Sequence, residues 1–280
     1  MEYPEGFKEL VALAKKSTVP VVNGRGIWDS YCRAAMIGKN LSDAEILFMA
    51  RLLRKYLDYD YVIKTDGEAW HDAVKKFLNE RLPRIKDENI QLAISGLLKG
   101  LFYLTATIKG GARFFEKKKI FTELDELTKT GDKTWDLVKE LVEDEDVSGI
   151  RYAKAILWLH YTGRARDLAP PTRQLKGFIN SDLGPYYQFY DDDEYFMDKA
   201  KEVKSDFNAC LMDIYRAIFF YRTFKSILPR GSKFKPKKLM EFMKKKKLSL
   251  NKLQEMLSDI DERESLFEGF CKFMGYSKSF

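Results

Sequence analysis

The stretch "TWDLVKELVEDEDVSGIRYAKAILWLHYTG", from Thr134 to Gly163, contains the pattern that decides the fold. Its first part places apolar residues at helical spacing behind an acidic start, and its last part is an apolar run of helical length. Between them, V-S-G-I (Val147–Ile150) has the composition of a turn. The stretch therefore predicts two helices joined by a short connection.

Helical spacing recurs along nearly the whole chain, in residues 42–57, 67–82, 87–108 and 194–228. Gly110-Gly111 is expected to end the third of these helices, and the fourth allows a break near Asn208. The strand-like runs, Val19–Val22 and Asp58–Ile63, are short and isolated. We expect an all-α, multi-helix globular protein with about ten to twelve helices and, near residues 135–160, a helix-hairpin-helix.

The basic residues are concentrated in one place. The formal net charge is +7, yet residues 225–247 alone have a net charge of +9, so the rest of the chain is slightly acidic. The "LPRGSKFKP" stretch before this run suggests a helical body over residues 1–228, which could form two lobes, and a basic C-terminal helical segment over residues 229–280. A localised basic run favours a polyanionic partner, although a solvated charge run has the same composition.

The sequence has no residue pattern typical of the common catalytic sites or metal sites. The chain has two histidines, His71 and His160, and neither belongs to a recognisable metal-ligand spacing. Its three cysteines are far apart, which argues against a disulfide framework and favours a reducing compartment, cytoplasmic or nucleoid-associated rather than secreted. No secretory leader and no uninterrupted apolar run of membrane-spanning length is visible, so we expect no membrane partner, no metal and no cofactor.

The turn after Thr134–Asp144 is the first candidate binding site. Backbone N–H groups of a turn at a helix N-terminus can hold a phosphate without reading bases. Ser148, Gly149 and Ile150 would supply these groups, and Gly149 would supply the free backbone dihedral. Arg151 and Lys154 would add positive charge.

This arrangement resembles the helix-hairpin-helix motif of the base-excision DNA glycosylase superfamily, over roughly Asp66 to Phe224. The resemblance implies DNA binding, DNA repair, and a proline-containing segment with a catalytic aspartate after the hairpin. Here that segment is "DLAPPTRQLKGFINSDLG", which begins at Asp167. Lyase-type members have a lysine two residues after the hairpin glycine, where this chain has Arg151, which stays protonated and cannot form a Schiff base.

The catalytic positions therefore leave three interpretations open. The aspartate of the family would fall at Pro170–Thr172, so Asp167 or Lys154 would have to act in a changed geometry. The chain could instead bind DNA through the hairpin without cleaving glycosidic bonds, or the likeness could be a coincidence.

Further candidate contacts are aromatic and basic. Tyr186, Tyr187 and Phe189 lie in a loop-like stretch and could stack an extruded base, or fill a gap between helices. Residues 109–119 mix lysines and an arginine with Phe114 and Phe115 and form a second candidate phosphate-facing surface. The basic segment would contribute sequence-independent affinity through Lys233, Lys235, Lys237 and Lys238.

These features predict a nucleic-acid-binding helical protein, with DNA favoured over RNA, that could be a DNA glycosylase (a hydrolase) of base-excision repair. The first alternative is a non-enzymatic protein that binds or packages single-stranded RNA. The second is a protein-interaction scaffold. Enzymatic activity and oligomeric state stay open.

Overall fold

A computed structural model describes residues 3–17, 19–37, 43–86, 88–172, 175–176, 200, 204, 206–229 and 231–276. These residues form fourteen α-helices and no strand, which confirms the predicted all-α class with more helices than expected. The chain divides into two compact units: a central unit, Pro20–Ala165, and a terminal unit made of Met1–Val19 and Arg166–Phe280.

The described residues of the central unit form nine α-helices. They are α2 (Arg25–Ala35), α3 (Asp43–Leu52), α4 (Tyr59–Lys64), α5 (Gly67–Arg81), α6 (Glu88–Lys99), α7 (Leu101–Lys117), α8 (Ile120–Leu127), α9 (Gly131–Glu143) and α10 (Tyr152–Tyr161). Several of these helices have an N-cap residue whose side chain accepts hydrogen bonds from the first turn. At the start of α5, for example, the carboxylate of Asp66 accepts from the N–H groups of Glu68 and Ala69.

Aromatic rings from α2, α7 and α10 fill the core of the central unit. Trp28, Tyr31, Phe115 and Trp158 contact one another, with ring centroids 5.1 to 5.8 Å apart. Two of their polar atoms have backbone partners: Trp28 Nε1 donates to the carbonyl of Leu57 at 2.6 Å, and the hydroxyl of Tyr31 donates to the backbone carbonyl of Thr107 at 2.9 Å. Helix α7 therefore lies in the middle of the unit, and this position decides the environment of the predicted hairpin.

The terminal unit contains α1 (Phe7–Lys16), α11 (Leu211–Ser226), α12 (Pro236–Lys246), α13 (Leu250–Leu257) and α14 (Ile260–Phe273). Helix α12 packs against both α1 and α11, and the ring of Phe234 stacks on that of Tyr221 at 5.4 Å. Residues 229–280 share a unit with the N-terminal helix, and the two units divide after Val19 and after Ala165.

Three local differences from the sequence prediction have physical reasons. The strand-like Asp58–Ile63 contains most of α4, because the carboxylate of Asp58 caps the N–H of Tyr61. The helix expected over residues 87–108 bends by 73° between α6 and α7, at Gly100. Gly110-Gly111 does not end α7, since both glycines are at close packing contacts inside the helix.

Candidate nucleic-acid interface

The predicted hairpin consists of α9, an eight-residue loop (144–151) and α10. The two helices contact each other, and the ring of Trp135 stacks on that of Tyr152 with centroids 5.1 Å apart. Gly149 has a φ of +79°, in the left-handed region that the turn needs and that glycine adopts without strain. The geometry of the turn is therefore of the kind that the sequence indicated.

The turn presents two exposed residues, Ser148 and Gly149, whose N–H groups have no acceptor in the described part of the chain. Ser148, Gly149 and Arg151 are exposed, while the side chain of Ile150 is buried. Within the described part of the chain, the N–H groups of Ser148, Gly149 and Ile150 donate to no protein atom. Arg151 is the N-cap residue of α10 and has no carboxylate partner among those residues.

The other side of the same loop lies on α7. The hydroxyl of Thr107 lies within hydrogen-bond distance of two carbonyls, that of Ser148 in the loop and that of Tyr103 one turn back in α7, and its one hydrogen is shared between them. A Cβ placed on Gly110 would lie 2.0 Å from the carbonyl oxygen of Asp146. The loop backbone therefore rests on a helix of the core, which fixes the position of the exposed tip.

We expect Thr107→Val to reduce the free energy of unfolding by about 1–2 kcal/mol, because it leaves the carbonyl of Ser148 without its donor. Thr105→Val is the matched control: its buried hydroxyl bonds the carbonyl of Leu101 within the same helix. Urea unfolding of both variants measures the difference, and equal losses would show that the contact with the loop contributes nothing.

Acidic residues surround the turn and weaken its attraction for phosphate. The loop and the end of α9 contain Glu143, Asp144, Glu145 and Asp146. Asp144 lies 2.9 Å from the ammonium of Lys117; this pair lowers the pKa of the carboxyl and raises that of the lysine. Glu143 and Glu145 are exposed, so a phosphate approaching the tip would meet like charge beside it.

Three of the five cations of the second candidate basic surface, residues 109–119, pair with acids of α9 and the loop after it. Arg113 pairs with Asp146 at 3.0 Å, and Lys118 pairs with Glu140 at 2.8 Å. Lys109 donates instead to the backbone carbonyls of Val62, inside α4, and of Thr65, the residue that follows it, and burial lowers its pKa. Only Lys119 of this surface is both exposed and without a carboxylate partner in the described part of the chain, so the surface offers a polyanion little uncompensated charge.

Lys154 does not extend into solvent beside Arg151. Its ammonium donates to the carbonyl of Ala35 at the end of α2, at 2.9 Å, and burial lowers its pKa. The lysine therefore caps a helix of the core.

Asp167 belongs to the terminal unit and is half exposed. Its carboxylate pairs with the ammonium of Lys204 at 2.6 Å. Lys154 lies in the central unit, so neither unit contains both predicted catalytic residues.

The basic C-terminal segment divides into paired and unpaired lysines. Lys235 and Lys237 both pair with Glu5, and Lys238 pairs with Glu241 at 2.8 Å. Lys233 is exposed and, in the described part of the chain, has no carboxylate partner. Three of the four predicted lysines of this segment therefore have part of their charge compensated.

Residues Lys244–Lys247, which we call the lysine cluster, form the last turn and C-cap of α12. All four side chains are exposed, and no carboxylate of the described residues lies within ion-pair distance of them. Lys245 also lies over the ring of Phe273, 5.8 Å from its centroid. The cluster is the end of the basic stretch Lys233–Lys247, for which the sequence predicts sequence-independent affinity; its signal is four consecutive lysines after the apolar Leu239, Phe242 and Met243.

The remaining predicted contacts and the comparisons with known proteins add no residue to the interface. Tyr186, Tyr187 and Phe189 lie outside the described residues. In the part of the chain that the structure describes, no group of His, Cys, Asp or Glu could hold a metal ion. No protein-family model, no curated protein and no solved structure matches this chain.

Proposed function

We propose that this protein binds nucleic acid through the phosphate backbone, with the lysine cluster as its main contact. The observation that supports this proposal is the exposure of four consecutive lysines that form no ion pair with a carboxylate of the described residues. Ammonium groups in such a position neutralise phosphates and release condensed counterions, which gives affinity without base recognition.

The hairpin is the second contact in this proposal. The N–H groups of the exposed Ser148 and Gly149, together with Arg151, could hold one phosphate, as the resemblance to base-excision glycosylases implies. The neighbouring Glu143 and Glu145 make this contact weaker than the lysine cluster. Duplex DNA is the partner favoured by the resemblance.

Cleavage of a glycosidic bond would require more than binding. Asp167 would have to release Lys204 before its carboxylate could stabilise an oxocarbenium-like charge or orient a water molecule. Incubating the protein with duplexes that contain damaged bases, and measuring base release, tests this step separately. Base release that Asp167→Asn abolishes would support the glycosylase function, and its absence would leave a binding protein.

The binding proposal is tested by fluorescence anisotropy with an intact duplex, a duplex with an abasic-site analogue and a single-stranded RNA. If the lysine cluster neutralises four phosphates of the duplex, log K should fall against log[salt] with a slope of roughly −3 to −4. Tighter binding to the abasic duplex would favour repair, and tighter binding to RNA would favour packaging. Salt-insensitive traces for all three would contradict the proposal and favour a protein-interaction scaffold.

A further inference from the structure

The carboxylate of Glu5, two residues before α1, is bound by two lysines at the start of α12. Lys235 Nζ donates to one of its oxygens, and Lys237 Nζ lies 3.8 Å from the other. The hydrogen bond from Lys235 is the largest cause of a lowered pKa of Glu5, so the carboxylate is ionised at neutral pH. Two ammonium groups that converge on the oxygens of one carboxylate can likewise converge on the oxygens of one phosphate.

The backbone keeps Glu5 in this position. A Cβ placed on the next residue, Gly6, would lie 2.6 Å from the backbone nitrogen of Lys237, so the segment before α1 is in direct contact with α12. Phe7 is fully buried, and its ring contacts that of Phe207 with centroids 5.5 Å apart. The carboxylate can therefore leave the lysines by a rotation of its own side chain, while the segment that carries it stays in place.

The start of α12 presents its charge on the same side of the helix as part of the lysine cluster. With 3.6 residues per turn, four exposed lysines fall within roughly one-third of the circumference of α12: Lys237, Lys238, Lys244 and Lys245. The buried residues of the helix lie on the opposite side. Because Lys237 and Lys244 are seven residues apart, they are separated by roughly 10 Å along the helix axis. A polyanion bound to the cluster can therefore continue along the helix towards Lys237.

The two ends of this basic face differ in how their charge is compensated. The lysines of the cluster form no ion pair with the described residues, whereas Lys235 and Lys237 share Glu5, and Lys238 pairs with Glu241. Glu241 belongs to α12 itself, but Glu5 comes from a different segment of the chain. The side chains of Lys235 and Lys237 are more than half exposed, and exposed ion pairs are weak. Glu5 therefore decides how strongly the start of α12 attracts phosphate.

We propose that Glu5 masks a phosphate subsite that Lys235 and Lys237 form at the start of α12. The ligand of this subsite is one backbone phosphate of the bound nucleic acid. The subsite depends on the proposed function, since the polyanion that reaches it is the one that the lysine cluster holds. While Glu5 stays between the lysines, the cluster alone holds the backbone at α12, and removal of the carboxylate adds one phosphate contact.

Titration of an intact duplex by fluorescence anisotropy across a salt series tests the masking. E5Q replaces the carboxylate with an uncharged amide of nearly the same shape. We expect the affinity at low salt to rise by roughly threefold to tenfold, because two exposed ion pairs no longer hold the lysines. The slope of log K against log[salt] should become steeper by about 1, which corresponds to one further phosphate contact.

E9Q is the matched control for E5Q. Glu9 is an exposed acid of α1 that forms no ion pair with the described residues, so E9Q makes the same change of net charge without freeing a lysine. Its slope should equal that of the unchanged protein.

K235S/K237S removes the subsite itself. Serine suits position 235, the N-cap of α12, so the helix should be preserved, and circular dichroism checks that every variant is folded. This double substitution should leave the slope of the unchanged protein as it is, because Glu5 already occupies the two lysines. In the E5Q background it should return the slope to that value.

Equal affinities and slopes for E5Q and E9Q would overturn the masking. A steeper slope of E5Q that K235S/K237S does not reverse would overturn it as well, because the added phosphate contact would then lie elsewhere. Failure of the proposed function looks different: the unchanged protein would show no salt-dependent binding to the duplex, and both proposals would be wrong.

Discussion

Replacing Gly110 with alanine is expected to lower the free energy of unfolding by about 3 kcal/mol or more, the upper range for overpacking a core. The new Cβ would lie 2.0 Å from the carbonyl oxygen of Asp146 and 2.9 Å from the Cα of Val147. Both are backbone atoms, so no rotamer change can relieve the clash. The loop before α10 would have to move away from α7.

Gly111→Ala should have a comparable effect for a different reason. Its Cβ would meet the ring of Tyr31 at 2.2 Å. That ring is fully buried between Trp28, Phe115 and Trp158, and its hydroxyl is bound to the carbonyl of Thr107. The ring therefore has little freedom to give way.

Gly96→Ala is the matched control for both substitutions. Gly96 is an exposed residue inside α6, and nothing lies within 4 Å of a Cβ placed on it. Alanine should therefore stabilise the protein by up to about 1 kcal/mol through helix propensity. Urea unfolding of the three variants measures these effects. A stabilising Gly110→Ala would contradict the close packing of α7 against the loop.

These glycines also show why part of the fold could not be predicted from the sequence. A Gly-Gly pair after an apolar run normally ends a helix, and propensity supports that interpretation. In this protein the helix continues through both glycines. Glycine is needed at these positions because Tyr31 and Asp146, which are far away in the chain, approach the helix too closely for a side chain. Where the signal is local, the prediction holds. The all-α class is confirmed, and Asn208, where a helix break was expected, has a φ of +47° and precedes the start of α11 at Leu211.

The candidate site likewise has some features that the sequence predicts and others that it does not. The turn and its glycine could be predicted, since a free dihedral and a following helix are local features. The charge around them could not, because pairs such as Lys117 with Asp144 join residues of different helices. For the same reason no sequence pattern showed that Lys154 would cap α2 or that Lys204 would pair with Asp167.

Reversing charges at the lysine cluster is expected to abolish most of the affinity for DNA. K244E/K246E should weaken binding to an intact duplex by at least tenfold at low salt and make the salt slope shallower by about 2, one unit for each lost phosphate contact. Both side chains are exposed and have no carboxylate partner in the described part of the chain, so the fold should not change. Anisotropy titrations across a salt series measure affinity and slope together.

The control is K75E/K76E, which makes the same change of net charge with two exposed lysines on α5. Because it leaves the cluster intact, it should change affinity much less; an equal loss would mean that net charge alone attracts the duplex.

Arg151→Glu then separates the contribution of the hairpin from that of the lysine cluster. A slope shallower by about 1 would support a phosphate at the hairpin. If Arg151→Glu abolishes binding while K244E/K246E does not, the hairpin is the principal site and the lysine cluster is a solvated helix end.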